Sequence, residues 1–573
     1  MRYGIPGFGF GKSRILVVVA GLFGLSIGLV SAQPDSVVIT GRVLNLTAAL
    51  YRQAPAITFT RNNILQPQSE LARQAPLQAD GSFRVTMPLI YPQEEVYLDY
   101  GGKVYTTFLA APGTLNLSFD ADSMFKAKRL FYFAGVNAEA NNRYMQYVVE
   151  EGRILKEDKR YGENFFTAFW NLDESPALQA LDRRAQVRLS SLANLSKQVS
   201  VPPQLQQWVQ TIVNEEKYSA LFEYALVNGI KAHPTALTGL PGLTEGTMTF
   251  QRVQWMMRVG DYADRMVEQR EFQFPTRSKS LKVETMAELI KRYVQPLSAE
   301  ETERLNVMIQ EGNATTDGLE FLNRLYSRNR RTLDLITSLE KKDRAYAFEF
   351  DAATADLLSA RWLVQQFYRL SLAEQEVLYP YIRQKTKTQV VRNSLDELYA
   401  LEVKDSTYIR LVEKRTDLNA NPTEVLSGIW LAESATNGRD ALDKVEALLK
   451  EKTVYVTKWN LFDDASRNEI LYAPALRAQL PTDVELLYIH LPSTEMVDSP
   501  TLWKKFIVRN KLKGVHLYLT DAQAAQLFLR LNPFTYPSFG IMKPNGKYAS
   551  RNAPPPSRGQ DAAQAILKVR EGR

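Results

Sequence analysis

Between residues 33 and 122 apolar and polar positions alternate in short runs, the period-two pattern of strands that bury one face. Val37-Val-Ile-Thr-Gly-Arg-Val, Gly81-Ser-Phe-Arg-Val-Thr-Met, Val96-Tyr-Leu-Asp-Tyr and Leu115-Asn-Leu-Ser-Phe are four such runs. Ala79-Asp-Gly-Ser and Tyr100-Gly-Gly-Lys supply hairpin turns between strands. Strands of this length and spacing predict a small N-terminal β-sandwich. After Gly135 the period changes. Asn141 to Lys156 and Ala177 to Gln198 place apolar residues three and four apart among Ala, Glu, Arg and Gln, and Ser298-Ala-Glu-Glu reads as a capping box. This texture predicts an α-helical middle region over residues 135–440, with helical character running on to about Leu449. Breaks are expected at Val201-Pro-Pro, His233-Pro, Leu240-Pro-Gly and from Asn419 to Pro422.

The final segment, residues 441–573, alternates the two element types. Helices are predicted over Ala441 to Lys450, Ser466 to Gln479, Thr501 to Asn510 and Ala522 to Leu531. Between them lie the strand-like runs Thr453-Val-Tyr-Val-Thr, Val484-Glu-Leu-Leu-Tyr-Ile, Val515-His-Leu-Tyr-Leu and Ser538-Phe-Gly-Ile-Met. Strand and helix in alternation predict an α/β layer with a largely parallel sheet.

Residues 1–32 have a different pattern from everything after them. Arg2, Lys12 and Arg14 precede an apolar run from Ile15 to Val30, and Val30 and Ala32 are small residues where a signal peptidase reads. The segment is expected to be a signal peptide cleaved after Ala32. A retained anchor is the competing reading, although the run is shorter than the roughly 20 residues that span a bilayer. The formal charge of +7, less those three cations, is +4, too little over so long a chain to indicate nucleic-acid binding. Hydrophobic residues at 45% and charged residues at 23% are ordinary globular values. The chain contains no cysteine, so an exported product holds together by packing without disulfides.

The residues Tyr455-Val-Thr-Lys-Trp-Asn-Leu-Phe-Asp-Asp-Ala-Ser-Arg-Asn-Glu carry a family resemblance. They are similar to the strand-to-helix corner of the thioredoxin superfamily, V-D-F-W-A-x-W-C-x-x-C-R-x-E, with Trp459, Arg467 and Glu469 in register. Trp503-Lys-Lys-Phe-Ile, Leu512-Lys-Gly-Val-His-Leu-Tyr-Leu-Thr, Tyr536-Pro-Ser-Phe-Gly-Ile-Met-Lys-Pro-Asn-Gly-Lys and Asn552-Ala-Pro-Pro-Pro-Ser follow in the same order. The tail resembles the TlpA-like periplasmic thiol-disulfide oxidoreductases of Bacteroidetes, over about 120 residues. That resemblance implies a thioredoxin-like fold for residues 441–573, and a cis peptide before Pro537 beside the active-site corner.

The departures bear on chemistry. On this register Asp463 and Ser466 stand at the two cysteine positions, with Asp464 and Ala465 between them, and Thr457 stands where the family keeps a buried aspartate. A carboxylate and a hydroxyl cannot form a mixed disulfide, so no catalytic residue is assigned and redox exchange is not expected. Asp463, Asp464 and Ser466 fit a capped helix start instead. Trp459, Phe462, Tyr536 and Pro537 are the candidate partner-binding residues, for a protein strand added along the Tyr536-Pro537 edge.

Other chemistries find little support. His233, His490 and His516 are the three histidines, and without cysteine no thiolate metal site forms; no metal and no cofactor is assigned. Gly11-Lys-Ser lacks the upstream glycine of a P-loop, and Gly-x-Ser-x-Gly is absent. The expectation is a pseudoenzyme: a non-catalytic protein-interaction module of the periplasm or cell envelope, soluble or associated with the outer membrane. The alternatives are an enzyme with a carboxylate-based site in the helical region, and a purely structural subunit of an envelope complex.

Overall fold

The computed structural model describes residues 36–573 apart from 68, 103, 122–130, 163, 274–280, 416, 420, 434–436, 493–498, 528, 530–535 and 573. The expected signal segment lies outside the described residues. The chain is multidomain, with a sheet-rich N-terminal region, a helical middle and a C-terminal α/β sheet. It divides into two compact units, residues 1–62, 71–217 and 245–252, and residues 63–70, 218–244 and 253–573.

In the first unit the strands are β1 (Ser36–Leu44), β2 (Ala56–Arg61), β3 (Arg73–Pro76), β4 (Ser82–Pro88), β5 (Gln93–Tyr100), β6 (Val104–Ala110), β7 (Gly113–Asp120), β8 (Phe131–Gly135) and β9 (Thr247–Met248). They form one sheet in the order β4-β1-β7-β8 and another in the order β3-β2-β5-β6, with β9 paired in parallel to β5. Alternate residues of both sheets, among them Ile39, Leu117, Phe59 and Phe108, share one apolar core. Both expected turns form with positive φ where glycine tolerates it, Gly81 at +79° and Gly101 and Gly102 at +64° and +69°. Gly41 permits the parallel pairing of β1 with β7, because a Cβ there would lie 1.8 Å from the Leu117 carbonyl oxygen.

Leu109 of β6 extends this unit beyond the two sheets. It packs with Tyr147, Leu195, Trp208 and Val209 from the helices Ala138–Glu157, Glu174–Gln198 and the start of Pro203–Asn228. Glu95 of β5 is buried beside that cluster, accepting from Trp208 Nε1 at 2.6 Å and from the Phe250 amide at 2.6 Å. Burial pushes its carboxyl up to about 7, against the pull of those two donors.

In the second unit the helical segment has the expected capping box at Ser298 and Glu301, and another at Ser371 and Glu374. Its strands are β10 (Thr423–Leu426), β11 (Ile429–Ala432), β12 (Thr453–Trp459), β13 (Val484–His490), β14 (Gly514–Tyr518), β15 (Ser538–Met542) and β16 (Tyr548–Ser550). They form a seven-stranded sheet in the order β10-β11-β14-β13-β12-β15-β16. The pairs β11·β14, β14·β13 and β13·β12 are parallel, while β10, β15 and β16 run antiparallel to their neighbours.

Two expectations are corrected here. After the expected break from Asn419 to Pro422 the chain does not return directly to helix: β10 and β11 form a hairpin around Gly428, at φ +77°, and widen the sheet. The Ser466 to Gln479 helix is in fact two, Asp464–Ile470 and Ala473–Arg477, because Pro474 suits the first turn of a new helix and cannot donate within the old one. On one face of the sheet Tyr455, Trp459, Tyr488 and Trp503 pack in a core that also takes Leu372, Ile409, Val412 and Leu418. Val454, Val456, Leu487 and Ile489 build a core on the opposite face, as alternation along β12 and β13 requires. No helix among the described residues is long and apolar enough to cross a membrane.

Candidate functional site

The corner singled out in the sequence lies at the C-terminal end of β12, where the chain leaves the sheet for the Asp464–Ile470 helix. Buried Asn460 shapes the turn. Its Nδ2 donates to the Leu491 carbonyl at 2.6 Å and its Oδ1 accepts from the Phe462 amide at 2.7 Å. Asp463 is the N-cap, with Oδ1 accepting from the Ser466 amide at 2.6 Å. This satisfies one of the amides that a helix start leaves without a partner.

Asp464 and Ala465 are exposed, whereas Ser466 is buried with no hydrogen-bond partner for its Oγ among the described residues. Arg467 ties the helix back on itself, donating to the Leu461 carbonyl at 2.9 Å and pairing with Asp464. Glu469 accepts from the Ser557 amide and hydroxyl at 3.1 and 2.8 Å. Thr457 is buried within β12.

The candidate partner-binding residues divide. Trp459 is 0% exposed, packed edge-on to His490 at 5.2 Å and against Phe506 at 5.4 Å, so it supports the corner from beneath and offers no surface to a partner. Phe462 is half-buried against the same core, and Tyr536 is half-buried against the core on the opposite sheet face. These two and half-buried Pro537 lie at this end of the sheet. The Tyr536–Pro537 peptide is cis.

His490 and His516 are core residues of β13 and β14. His490 Nε2 accepts from the Leu461 amide at 3.2 Å, and burial holds its ring down at about 3, so it stays neutral and serves as an acceptor for the corner's backbone. His516 is also lowered by burial to about 3 and stacks on Tyr488 with centroids 4.4 Å apart. His233 caps the Pro234–Thr238 helix through Nδ1. Among the described residues no cluster of His, Asp and Glu is arranged to hold a metal.

Sequence reasoning missed a second ring of residues around this corner. Tyr368, in the Phe367–Arg369 turn of the helical segment, lies under the Arg467 guanidinium, with Cζ 3.7 Å from the ring centroid. Lys505, on the Pro500–Arg509 helix, donates to the carbonyls of Phe367 and Leu370 at 2.6 and 2.8 Å and pairs with Glu402 at 2.6 Å. Arg509 bonds Glu402 and reaches Glu70, 439 residues away in sequence, with both terminal nitrogens at 2.6 and 2.7 Å. Burial raises the Glu402 carboxyl, but Lys505 and Arg509 outweigh it and leave the group below its ordinary value. Phe367, Tyr368, Glu402, Lys505 and Arg509 line a cavity of about 420 Å³ beside Asp464, Arg467 and Asn468. No local pattern links such distant positions, so no sequence signal would have found them.

No family model and no curated protein matches the chain. Its structural neighbours are thiol-disulfide oxidoreductases from Bacteroides. One is the thioredoxin domain of a thiol-disulfide oxidoreductase from Bacteroides vulgatus, 18% identical over 21% of this chain and 81% of that one, with a TM-score of 0.18. Another is a thiol:disulfide interchange protein from Bacteroides sp., 17% identical over 22% of this chain and 80% of that one, also with a TM-score of 0.18.

Proposed function

We propose that this chain is an exported, redox-inactive thioredoxin-like protein of the TlpA-like type. Its C-terminal domain serves as a non-catalytic protein-interaction module in the periplasm or cell envelope. The observation that carries the reading is the corner at residues 463–466. Asp463 caps the helix where the family resemblance puts the nucleophilic cysteine, and Ser466 is buried where it puts the resolving one. A capping carboxylate supplies stability to the helix start and no thiolate sulfur with which to form a mixed disulfide. The strand order, with β12 leading into the helix and β15 antiparallel beside it, supports the thioredoxin-like reading. The half-buried Phe462, Tyr536 and Pro537 support a protein contact at that end of the sheet.

The carboxylate-enzyme alternative gains nothing from the two cavities beside Arg369. Among the described residues the acids raised by burial are Glu94, Glu95, Glu215 and Glu413, and none of them lines either the cavity of about 420 Å³ or a second of about 410 Å³. Two experiments test the proposal. Insulin disulfide reduction in the presence of dithiothreitol is expected at the level of a cysteine-free control, and any excess removes the redox-inactive reading. Co-purification from native envelopes is expected to lose its main partner when Phe462 and Tyr536 are both changed to Ala. An unchanged partner set would show that this end of the sheet is idle.

A further inference from the structure

Two cavities of the second unit share one side chain, Arg369. It lines the cavity of about 420 Å³ beside the Asp464–Ile470 helix and also the one of about 410 Å³ beside Arg330 and Arg331. Every other cation of the two linings has a carboxylate. Arg467 pairs with Asp464, Lys505 with Glu402, and Arg509 with Glu402 and Glu70. Arg330 pairs with Asp334 at 3.6 Å and Arg331 with Glu374.

Arg369 makes no ion pair among the described residues. Its Nε is buried without an acceptor, and its guanidinium lies 5.1 Å from the Tyr368 ring. An anion in the cavity would give this half-buried residue the counter-charge that no carboxylate supplies among the described residues.

We propose that Arg369 anchors a small carboxylate ligand in the larger cavity. One uncompensated positive charge matches one negative charge. A dianionic phosphate would leave an excess negative charge close to Glu402 and Asp464, where the other cations are already engaged. The guanidinium fork matches a carboxylate in two-point geometry. Leu471, Leu502 and Phe506 line the same cavity and fit an apolar or aromatic body attached to the acid. The volume lies in the range of sites for small organic molecules. This site is separate from the protein contact proposed at Phe462 and Tyr536.

The test uses the full chain and 4-fluorobenzoate, followed by fluorine NMR line broadening, with the neutral isostere 4-fluorobenzamide and inorganic phosphate alongside. The acid is expected to bind about tenfold or more tightly than the amide, the margin of a charge-assisted pair. Phosphate is expected to compete poorly. Arg369→Gln should abolish the preference for the acid. Leu471→Glu, at a cavity residue 49% exposed, should weaken the acid by repulsion without touching Arg369, which keeps the test valid if the arginine variant misfolds. Equal binding of acid and amide, no broadening with the wild-type chain, stronger binding of phosphate, or full retention in a folded Arg369→Gln variant would overturn the proposal.

Discussion

Replacing Glu95 by Gln tests the electrostatics of the first unit at a single buried position. In the folded chain the carboxyl is raised from an ordinary value of 4.5 to about 7, whereas in the unfolded chain it titrates normally. A folded value above the unfolded one means that the fold prefers the protonated form. The corresponding stability is fully present below pH 4.5 and is lost as pH rises through 7. With about 1.4 kcal/mol per pH unit across that window, the wild type is expected to lose about 3 kcal/mol. Glutamine does not ionise, so this slope disappears. It also has one carbonyl oxygen for the two donors, Trp208 Nε1 and the Phe250 amide. One N–H therefore faces the amide nitrogen, at a cost of about 1–3 kcal/mol at every pH. Urea unfolding of both full-length proteins from pH 4.5 to 8 is the assay. The variant should be the weaker at pH 4.5 and should draw level with or pass the wild type by pH 8. Parallel pH profiles would refute the reasoning, and would mean that the two donors hold the carboxylate ionised despite its burial.

Three further outcomes are expected. Asp463→Ala should destabilise the chain by about 1 kcal/mol in urea unfolding, and Asp463→Ser should recover most of it, because the helix needs only an acceptor at its N-cap. Lys505→Met should cost about 3 kcal/mol, since it strips buried Glu402 of one of its two cationic partners and takes one donor from the carbonyls of Phe367 and Leu370, which keep Gln375 Nε2. Thermal unfolding with Glu402→Gln added to that variant should show partial recovery. Gly41→Ala should prevent close pairing of β1 with β7, read as loss of amide protection in both strands, because the added methyl would overlap the Leu117 carbonyl.

Features that depend on neighbours in the chain were legible in the sequence. The Ser298 capping box, the Gly81 and Gly101-Gly102 turns, and the helix start at Asp463 are each written within a few residues. The run Thr453-Val-Tyr-Val-Thr likewise anticipated a strand of the α/β sheet. What escaped depends on distant partners. Thr423–Leu426 and Ile429–Ala432 are strands because β14 offers a parallel edge to β11, and four apolar residues alone do not distinguish that from a helical turn. Trp459 was placed near a surface by its register, yet the packing of His490 and Phe506 closes over it. The pairing of Arg509 with Glu70, like that of Glu95 with Trp208, is a product of the assembled chain.

The ring of contacts around Lys505 also bears on how this chain can be cut and recombined. The ammonium finds its acceptors at Phe367, Leu370 and Glu402, and the core around Trp459 and Trp503 is completed by Leu372, Ile409 and Val412. A fragment beginning after those positions would leave Lys505 without its protein acceptors and open an apolar face to water, and is expected to aggregate when expressed alone. The α/β domain is thus not an interchangeable cassette. Substitutions on the Pro500–Arg509 helix and on residues 367–412 must change together, so the two stretches are expected to be inherited as one block.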